Sequence, residues 1–239
     1  MNSNSVSSIY LDGTYANRNS SFGDDNAAWK AASVKRMLDL MGWQPQRLCE
    51  IGCGGGGILL ELAKLLPDSV HFTGYEPMPE AFKVCSSRAS ERFRFLNESP
   101  AGQSPEHPYD VALCLDVFEH VEDYIGFIRS LRGMARHFIF HIPLDMSVQT
   151  VFRLEPILRV RREVGHLHYF CKDTAIATIR DAGFQINSSF YTDSSQSTYN
   201  TLKFRLMKLP RKTLFAVAPD FTVRLLGGYP LMVAATPER

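Results

Sequence analysis

Residues 47–57 read Arg47-Leu48-Cys49-Glu50-Ile51-Gly52-Cys53-Gly54-Gly55-Gly56-Gly57, and residues 58–66 continue Ile-Leu-Leu-Glu-Leu-Ala-Lys-Leu-Leu up to Pro67. A short apolar run, a glycine-dense hinge and an apolar stripe at helical spacing predict a strand over 47–52, a tight turn and a helix. That context carries more information than the glycines themselves. Glycine lets the chain turn sharply and lets a ligand approach the backbone closely. Two templates overlap in the loop. Gly52, Gly54 and Gly57 satisfy the GxGxxG spacing of a dinucleotide fingerprint. Gly52, Gly54 and Gly56 satisfy a GxGxG nucleoside loop, with Cys53 inside it.

The same alternation continues on both sides. Upstream, Asp24 or Asp25 is placed to cap a helix over 27–43, whose apolar stripe is Trp29, Val34, Met37, Leu38 and Met41 and which Gly42 stops. Downstream, strands are predicted over 70–76, 93–97, 109–116, within 136–144 up to Pro143, over 184–191 and over 229–236. Helices are predicted over 79–89, 122–135 and 172–184. Strands alternating with helices argue for an α/β, doubly wound, mostly parallel sheet with helices on both faces. One domain over 1–239 is expected, with residues 1–24 as an N-terminal arm rich in Ser and Asn. Residues 145–172 and 193–228 are longer than such a sheet needs, and excursions of that length are usually functional. They are expected to form the substrate side or a lid.

Composition excludes several classes. Of 239 residues, 45% are hydrophobic and 21% charged, which rules out a disordered chain, a collagen-like fibre and a disulfide miniprotein. The 26 Lys and Arg nearly balance 25 Asp and Glu, so no global field is available to hold nucleic acid or an anionic membrane. Five cysteines without a close pair read as free thiols in a reducing compartment. The polar start of the chain is not a signal peptide, and no apolar run reaches the ~18 residues of a membrane span. A cytoplasmic protein is expected.

Glu50 lies near the carboxyl end of the first strand, beside the glycines. A carboxylate there repels a pyrophosphate and attracts an ammonium or sulfonium group, and S-adenosylmethionine carries both. The plainer alternative is that Glu50 pairs with a Lys or Arg and closes the loop. Glu76 ends the next strand, where a carboxylate can accept both hydroxyls of a ribose. Asn97 ends the third strand, where it could face an adenine edge.

These stretches, taken as a set, resemble the class I S-adenosylmethionine-dependent methyltransferases of the small-molecule type, similar to the ubiquinone-biosynthesis O-methyltransferases. The motifs are Leu48-Cys49-Glu50-Ile51-Gly52-Cys53-Gly54-Gly55-Gly56, Gly74-Tyr75-Glu76-Pro77, Tyr109-Asp110-Val111, Leu115-Asp116-Val117-Phe118-Glu119-His120-Val121, Gly165-His166-Leu167-His168-Tyr169-Phe170 and Asp181-Ala182-Gly183-Phe184. The resemblance covers roughly residues 25–190 and the last strand. It implies a seven-stranded sheet of order 3-2-1-4-5-7-6 with strand 7 antiparallel. It further implies S-adenosylmethionine as cofactor, held by Glu50, Gly52, Cys53, Gly54, Gly56, Glu76, Pro77 and Asn97, with Asp116 and Val117 on the methionine side. The chain departs from the family at Gly55, where Thr or Ser is commoner, and in the length of 193–228.

Methyl transfer to a hydroxyl needs a base, and His120, His141, His166 and His168 all fall where an open α/β sheet binds its ligands. A lone histidine in such a place is more often a hydrogen-bonded structural group than a base. No metal is expected. His166 and His168 alternate on one face, but neither Asp145 nor Glu163 makes a third ligand at convincing spacing. Residues 193–228 carry six basic against two acidic side chains among apolar ones, which suits a lid, a homodimer contact or a membrane surface. The acceptor is expected to be a small molecule, a sugar or lipid-linked intermediate among the options. Two other readings stand beside methyl transfer: an NAD(P)-binding oxidoreductase, resting on the GxGxxG match alone, and a non-catalytic cofactor-binding scaffold.

Overall fold

A computed structural model describes residues 22–192 and 211–238. Most of the expected N-terminal arm and residues 193–210 lie outside them. Seven strands form one sheet: β1 Arg47–Ile51, β2 His71–Tyr75, β3 Phe93–Leu96, β4 Tyr109–Leu115, β5 Ala135–Ile142, β6 Phe184–Tyr191 and β7 Leu231–Pro237. Their order is β3-β2-β1-β4-β5-β7-β6. All neighbours are parallel except those of β7, which runs antiparallel to both β5 and β6. Both the class and the order agree with the expectation.

Eight helices are bounded within the described residues. They are α1 Ala27–Met41, α2 Gly57–Ala63, α3 Pro79–Ser86, α4 Tyr124–Ser130, α5 Val148–Arg153, α6 Glu155–Glu163, α7 Lys172–Asp181 and α8 Pro219–Leu226. Residues 211–217 are also helical. Strand side chains alternate between the two faces. From β4, Ala112 and Cys114 enter one core while Val111, Leu113 and Leu115 enter the other. Ala31, Val34, Leu59, Leu62 and Cys85 of α1, α2 and α3 close the second core. Ile128, Ala175, Ile179 and Val223 of α4, α7 and α8 close the first. The central strands are buried on both faces, which is why they read as unbroken apolar runs.

Three local details depart from the sequence expectations, each for a backbone reason. β1 stops at Ile51, because Gly52 turns to φ +70° and both Gly52 N and Cys53 N donate to the Tyr75 carbonyl. β4 stops at Leu115, because Asp116 turns to φ +55°. Neither Asp24 nor Asp25 caps α1: they lie in a 3-10 turn over Asp24–Asn26, and Asp24 pairs with Arg88 at 2.6 Å instead. Gly42 ends α1 as expected, at φ +67°. Within the excursions, α5, α6 and α8 are helices that the strand-and-helix alternation did not require. All five cysteines are free. No helix of the described residues is long and apolar enough to cross a membrane.

Candidate active site

The carboxyl ends of β1, β2 and β4 meet around the glycine loop. Glu76 follows β2 and is 6% exposed. One carboxylate oxygen, Oε2, accepts from Gly54 N at 2.8 Å, and Oε1 accepts from Met78 N at 2.8 Å. Each oxygen keeps a second lone pair for another donor. Burial pushes this carboxyl above its ordinary range, against the pull of the two amides. Asn97 is exposed and its Nδ2 donates to the Glu76 carbonyl at 2.8 Å, fastening the end of β3 to the end of β2. Pro77 is exposed at the bend between β2 and α3. Gly56 sits at φ +83°, and a Cβ there would lie 2.9 Å from the Phe95 ring. Cys53 is buried with its Sγ over Gly74. Gly55 N donates to the Phe22 carbonyl at 3.2 Å, and Arg88 Nη1 donates to the Gly55 carbonyl at 2.7 Å. The segment before α1 thus lies against the loop.

Beside the loop is a buried group of charges. Glu50 is 1% exposed, and its Oε2 has no hydrogen-bond partner among the described residues. Burial pushes its carboxyl up to about 8; Lys30 opposes this, while Glu76 and Asp24 add to it. Lys30 reaches from α1 to Asp116, with Nζ 2.7 Å from Oδ2. Burial alone would lower the Lys30 ammonium, but Asp116 and its hydrogen bond outweigh it and the net shift is upward. Asp116 also meets His141, Nδ1 to Oδ1 at 2.6 Å. Burial would raise this carboxyl, yet His141 and Lys30 together hold it well below the ordinary carboxylate range. His141 is 2% exposed; its Nε2 lies 3.0 Å from Thr192 Oγ1, which donates to the Pro230 carbonyl at 3.2 Å. Val117 packs on Gly52, where a Cβ would approach its Cγ2 to 2.9 Å.

The next residues along build a third group. A 3-10 turn, Phe118–His120, follows β4. Phe118 points into the core, edge-on to Phe140 and Phe170. Glu119 is fully buried, and neither carboxylate oxygen has a hydrogen-bond partner among the described residues. Burial, then Asp116, push its carboxyl well up. Its carbonyl accepts from Leu167 N and His168 N at 2.8 and 3.1 Å, clamping the turn to the loop after α6. His120 Nδ1 lies 3.1 Å from the Gly165 carbonyl, and His166 Nδ1 lies 2.6 Å from Asp145 Oδ2. Burial, with His166 adding, lowers His120 to about 4.

The structure therefore gathers Glu50, Gly52, Cys53, Gly54, Gly56, Glu76, Asp116 and Val117 at one end of the sheet, with Pro77 and Asn97 at the rim. The four histidines separate into three environments. His141 is enclosed with both ring nitrogens engaged. His168 Nε2 donates to the Val121 carbonyl at 2.9 Å, with its ring against that of Tyr124. His120 and His166 face each other, ring centroids 4.9 Å apart. Phe170, the last residue of the 165–170 motif, is a core residue at 3% exposure. Lys30 escaped the sequence reading because nothing local marks one lysine of α1 as the partner of a residue in β4's outgoing turn. Glu119 stood inside a quoted motif, but its burial has no signature in sequence.

The methyltransferase-domain family matches residues 26–189. The chain belongs to this family. The methyltransferase domain is 29% identical over 132 residues to the ubiquinone biosynthesis O-methyltransferase of Aliivibrio fischeri strain MJ11, covering 52% of this chain and 56% of that protein. It is 31% identical over 97 residues to the enzyme of that name from Aeromonas salmonicida, covering 38% of this chain and 39% of that one. The chain spans about half the length of the curated relatives it matches. Among solved structures, the methyltransferase domain is similar to magnesium protoporphyrin IX methyltransferase of Synechocystis PCC 6803 with bound S-adenosylhomocysteine. That match has a TM-score of 0.58 at 18% identity, over 88% of this chain and 83% of that one. It is also similar to the N-methyltransferase NodS of Bradyrhizobium japonicum, TM-score 0.54 at 14% identity, over 87% and 85%. At such identities the likeness is one of fold.

Proposed function

We propose that this chain binds S-adenosylmethionine at the carboxyl ends of β1, β2 and β4 and transfers its methyl group to an oxygen or nitrogen of a small molecule. The observation that carries the reading is the pair of buried carboxylates flanking the glycine loop. Glu50 keeps an oxygen with no hydrogen-bond partner among the described residues near the end of β1, and Glu76 keeps lone pairs at the end of β2. A cationic amino-acid head suits the first and a ribose suits the second. A pyrophosphate suits neither. When bound, the cofactor supplies a methyl carbon already activated by its sulfonium. The protein holds the acceptor in line, excludes water and takes or directs a proton.

In this reading His141 is a positioning residue that fixes Asp116, and His168 braces Tyr124. His120 and His166 are the pair on the acceptor side. In this proposal the two excursions, 145–172 and 193–228, supply the acceptor wall; what supports this is the contact of 145–172 and α7 with the described residues 211–228. α5 packs against α8, and a Cβ at Gly227 would sit 2.8 Å from Ser147 Oγ. Lys172–Asp220 and Arg224–Asp173 ion pairs tie α8 to α7. Phe152, Val217 and Phe221 stand exposed on these segments, where an acceptor or a second copy of the chain could cover them. The whole of 1–239 acts as one domain in this proposal, in the cytoplasm and without nucleic acid. Isothermal titration with S-adenosylmethionine and S-adenosylhomocysteine tests it. One site per chain for both ligands is expected, and no heat from either at millimolar ligand sinks the proposal.

A further inference from the structure

We propose that Arg88 is a positioning residue for the cofactor: it clamps residues 22–24 onto the glycine run as a strap, and the opening of that strap sets how fast the cofactor enters and leaves. The identity of the ligand rests on the methyl-transfer reading. The clamp is a matter of named contacts. Asp24 Oδ2 accepts from Arg88 Nη2 at 2.6 Å, and Oδ1 accepts from Nη1 at 3.2 Å. Such two-pronged pairs fix geometry as well as charge. The same Nη1 donates to the Gly55 carbonyl at 2.7 Å. One guanidinium therefore holds the strap and the loop together.

The strap has its seat in the glycines. Gly55 N donates to the Phe22 carbonyl at 3.2 Å. A Cβ on Gly54 would overlap that carbonyl oxygen, and a Cβ on Gly57 would overlap Asp24 Oδ1. Two glycines of the run are thus accounted for by what lies on them. The strap also touches both halves of the cofactor site. Gly54, beneath Phe22, is the residue whose amide holds Glu76 Oε2 at 2.8 Å. At the other half, the Asp24 charge is among those that push the Glu50 carboxyl up.

What holds the strap is polar and partly exposed, so it can open without unfolding the domain. No residue of the Asp24–Asn26 turn is buried. The Asp24 and Arg88 side chains are 32% and 28% exposed, and such pairs contribute little to stability. Phe22 sits at φ +44°, a strained backbone for a bulky side chain, and Gly23 at φ +89°. By contrast α1, which follows, is anchored by Ala31 and Val34 in the core. Segments with few apolar contacts are those that open at low free energy. A strap over a site slows entry and exit alike, because the ligand must wait for the opening in both directions. A lost contact to the ligand speeds exit alone.

The test measures association and dissociation rates of S-adenosylhomocysteine on the immobilised full chain by surface plasmon resonance. Arg88→Ala, Asp24→Asn and Gly57→Ala attack the clamp from three sides. Gly57→Ala leaves both charges in place and only evicts the Asp24 carboxylate from its seat. In each variant both rates should rise, by roughly 5-fold, with a smaller change in Kd. High salt should speed both rates in the wild type and have less effect in Asp24→Asn. Lys35→Ala, which breaks the exposed Lys35–Asp39 pair of α1, should leave both rates unchanged. If Arg88→Ala does not fold, Asp24→Asn and Gly57→Ala decide the matter. Rates equal to wild type in those two variants overturn the proposal, as does a rise in the dissociation rate alone. A wild-type chain that binds neither S-adenosylhomocysteine nor S-adenosylmethionine overturns the methyl-transfer reading and the gating role with it. Binding by the wild type with unchanged rates in the variants removes the gating role only.

Discussion

Glu50 is the residue on which the cofactor reading turns, and its titration gives it a measurable signature. Burial holds its carboxyl at about 8 in the folded chain, against about 4.3 when unfolded. The folded state therefore favours the protonated acid. The stability this contributes is complete below about pH 4 and is lost as pH rises toward 8, with a slope of about 1.4 kcal/mol per pH unit for one proton. Glu50→Gln should flatten that part of the wild-type curve of unfolding free energy against pH, and superimposable slopes would count against it. Binding of a cationic ligand should release a proton from Glu50 at pH 7. Calorimetry in two buffers of different ionisation enthalpy reads this directly. Glu76→Ala removes the acceptor of two backbone amides as well as the ribose contact. Cofactor affinity should fall by roughly 1.5–3 kcal/mol, the range for lost bonds to a charged acceptor. Unchanged affinity in a folded variant removes Glu76 from that role. Both acids were legible in sequence because each ends a strand beside a turn. Lys30 and the burial of Glu119 were not, because both depend on packing between segments far apart in the chain.

Among the elements, the glycine loop separates positions that need glycine from one that does not. Gly56 has φ +83° and lies under the Phe95 ring, so Gly56→Ala meets both backbone strain and a 2.9 Å contact. It should destabilise the fold by about 1–3 kcal/mol. Gly55 has an ordinary φ, and a Cβ there would meet only the Asp24 carboxylate at 3.1 Å. Gly55→Ala should cost clearly less, and equal losses of Tm for the two would contradict this account. The run 47–66 declared its strand, turn and helix openly because all three signals are local. α5 and α6 were harder to read. Their exposed faces lack an apolar stripe buried by the sheet, and their capping at Ser147 is a short-range detail inside a long polar stretch.

For the whole molecule, the informative fact is that β7 slots between β5 and β6. The pairings of Phe138 with Ala235 and of Phe184 with Pro237 join residues far apart in sequence. No periodicity marks such pairings, so the strand order came from family resemblance while the α/β class came from the pattern itself. Around these strands one core joins Phe138, Phe140 and Phe184, whose rings lie 5.0–5.8 Å apart. Phe138→Ala should therefore cost about 3–5 kcal/mol. The loss should appear in a single transition under both far-ultraviolet dichroism and urea, because the sheet shares that core. Two separated transitions would mean that the two halves of the sheet unfold independently.

The chain has two tryptophans, and they occupy different places. Trp43 stacks on His137, away from the glycine loop. Trp29 stands edge-on to His141, 5.6 Å between centroids, next to the Lys30–Asp116 pair. An indole beside an imidazole is quenched according to the charge on that ring, so Trp29 is a built-in optical gauge of the buried charge group. In a Trp43→Phe background the remaining emission should change when a ligand enters beside Asp116. Binding could then be followed in real time without a label, and before any acceptor molecule has been identified.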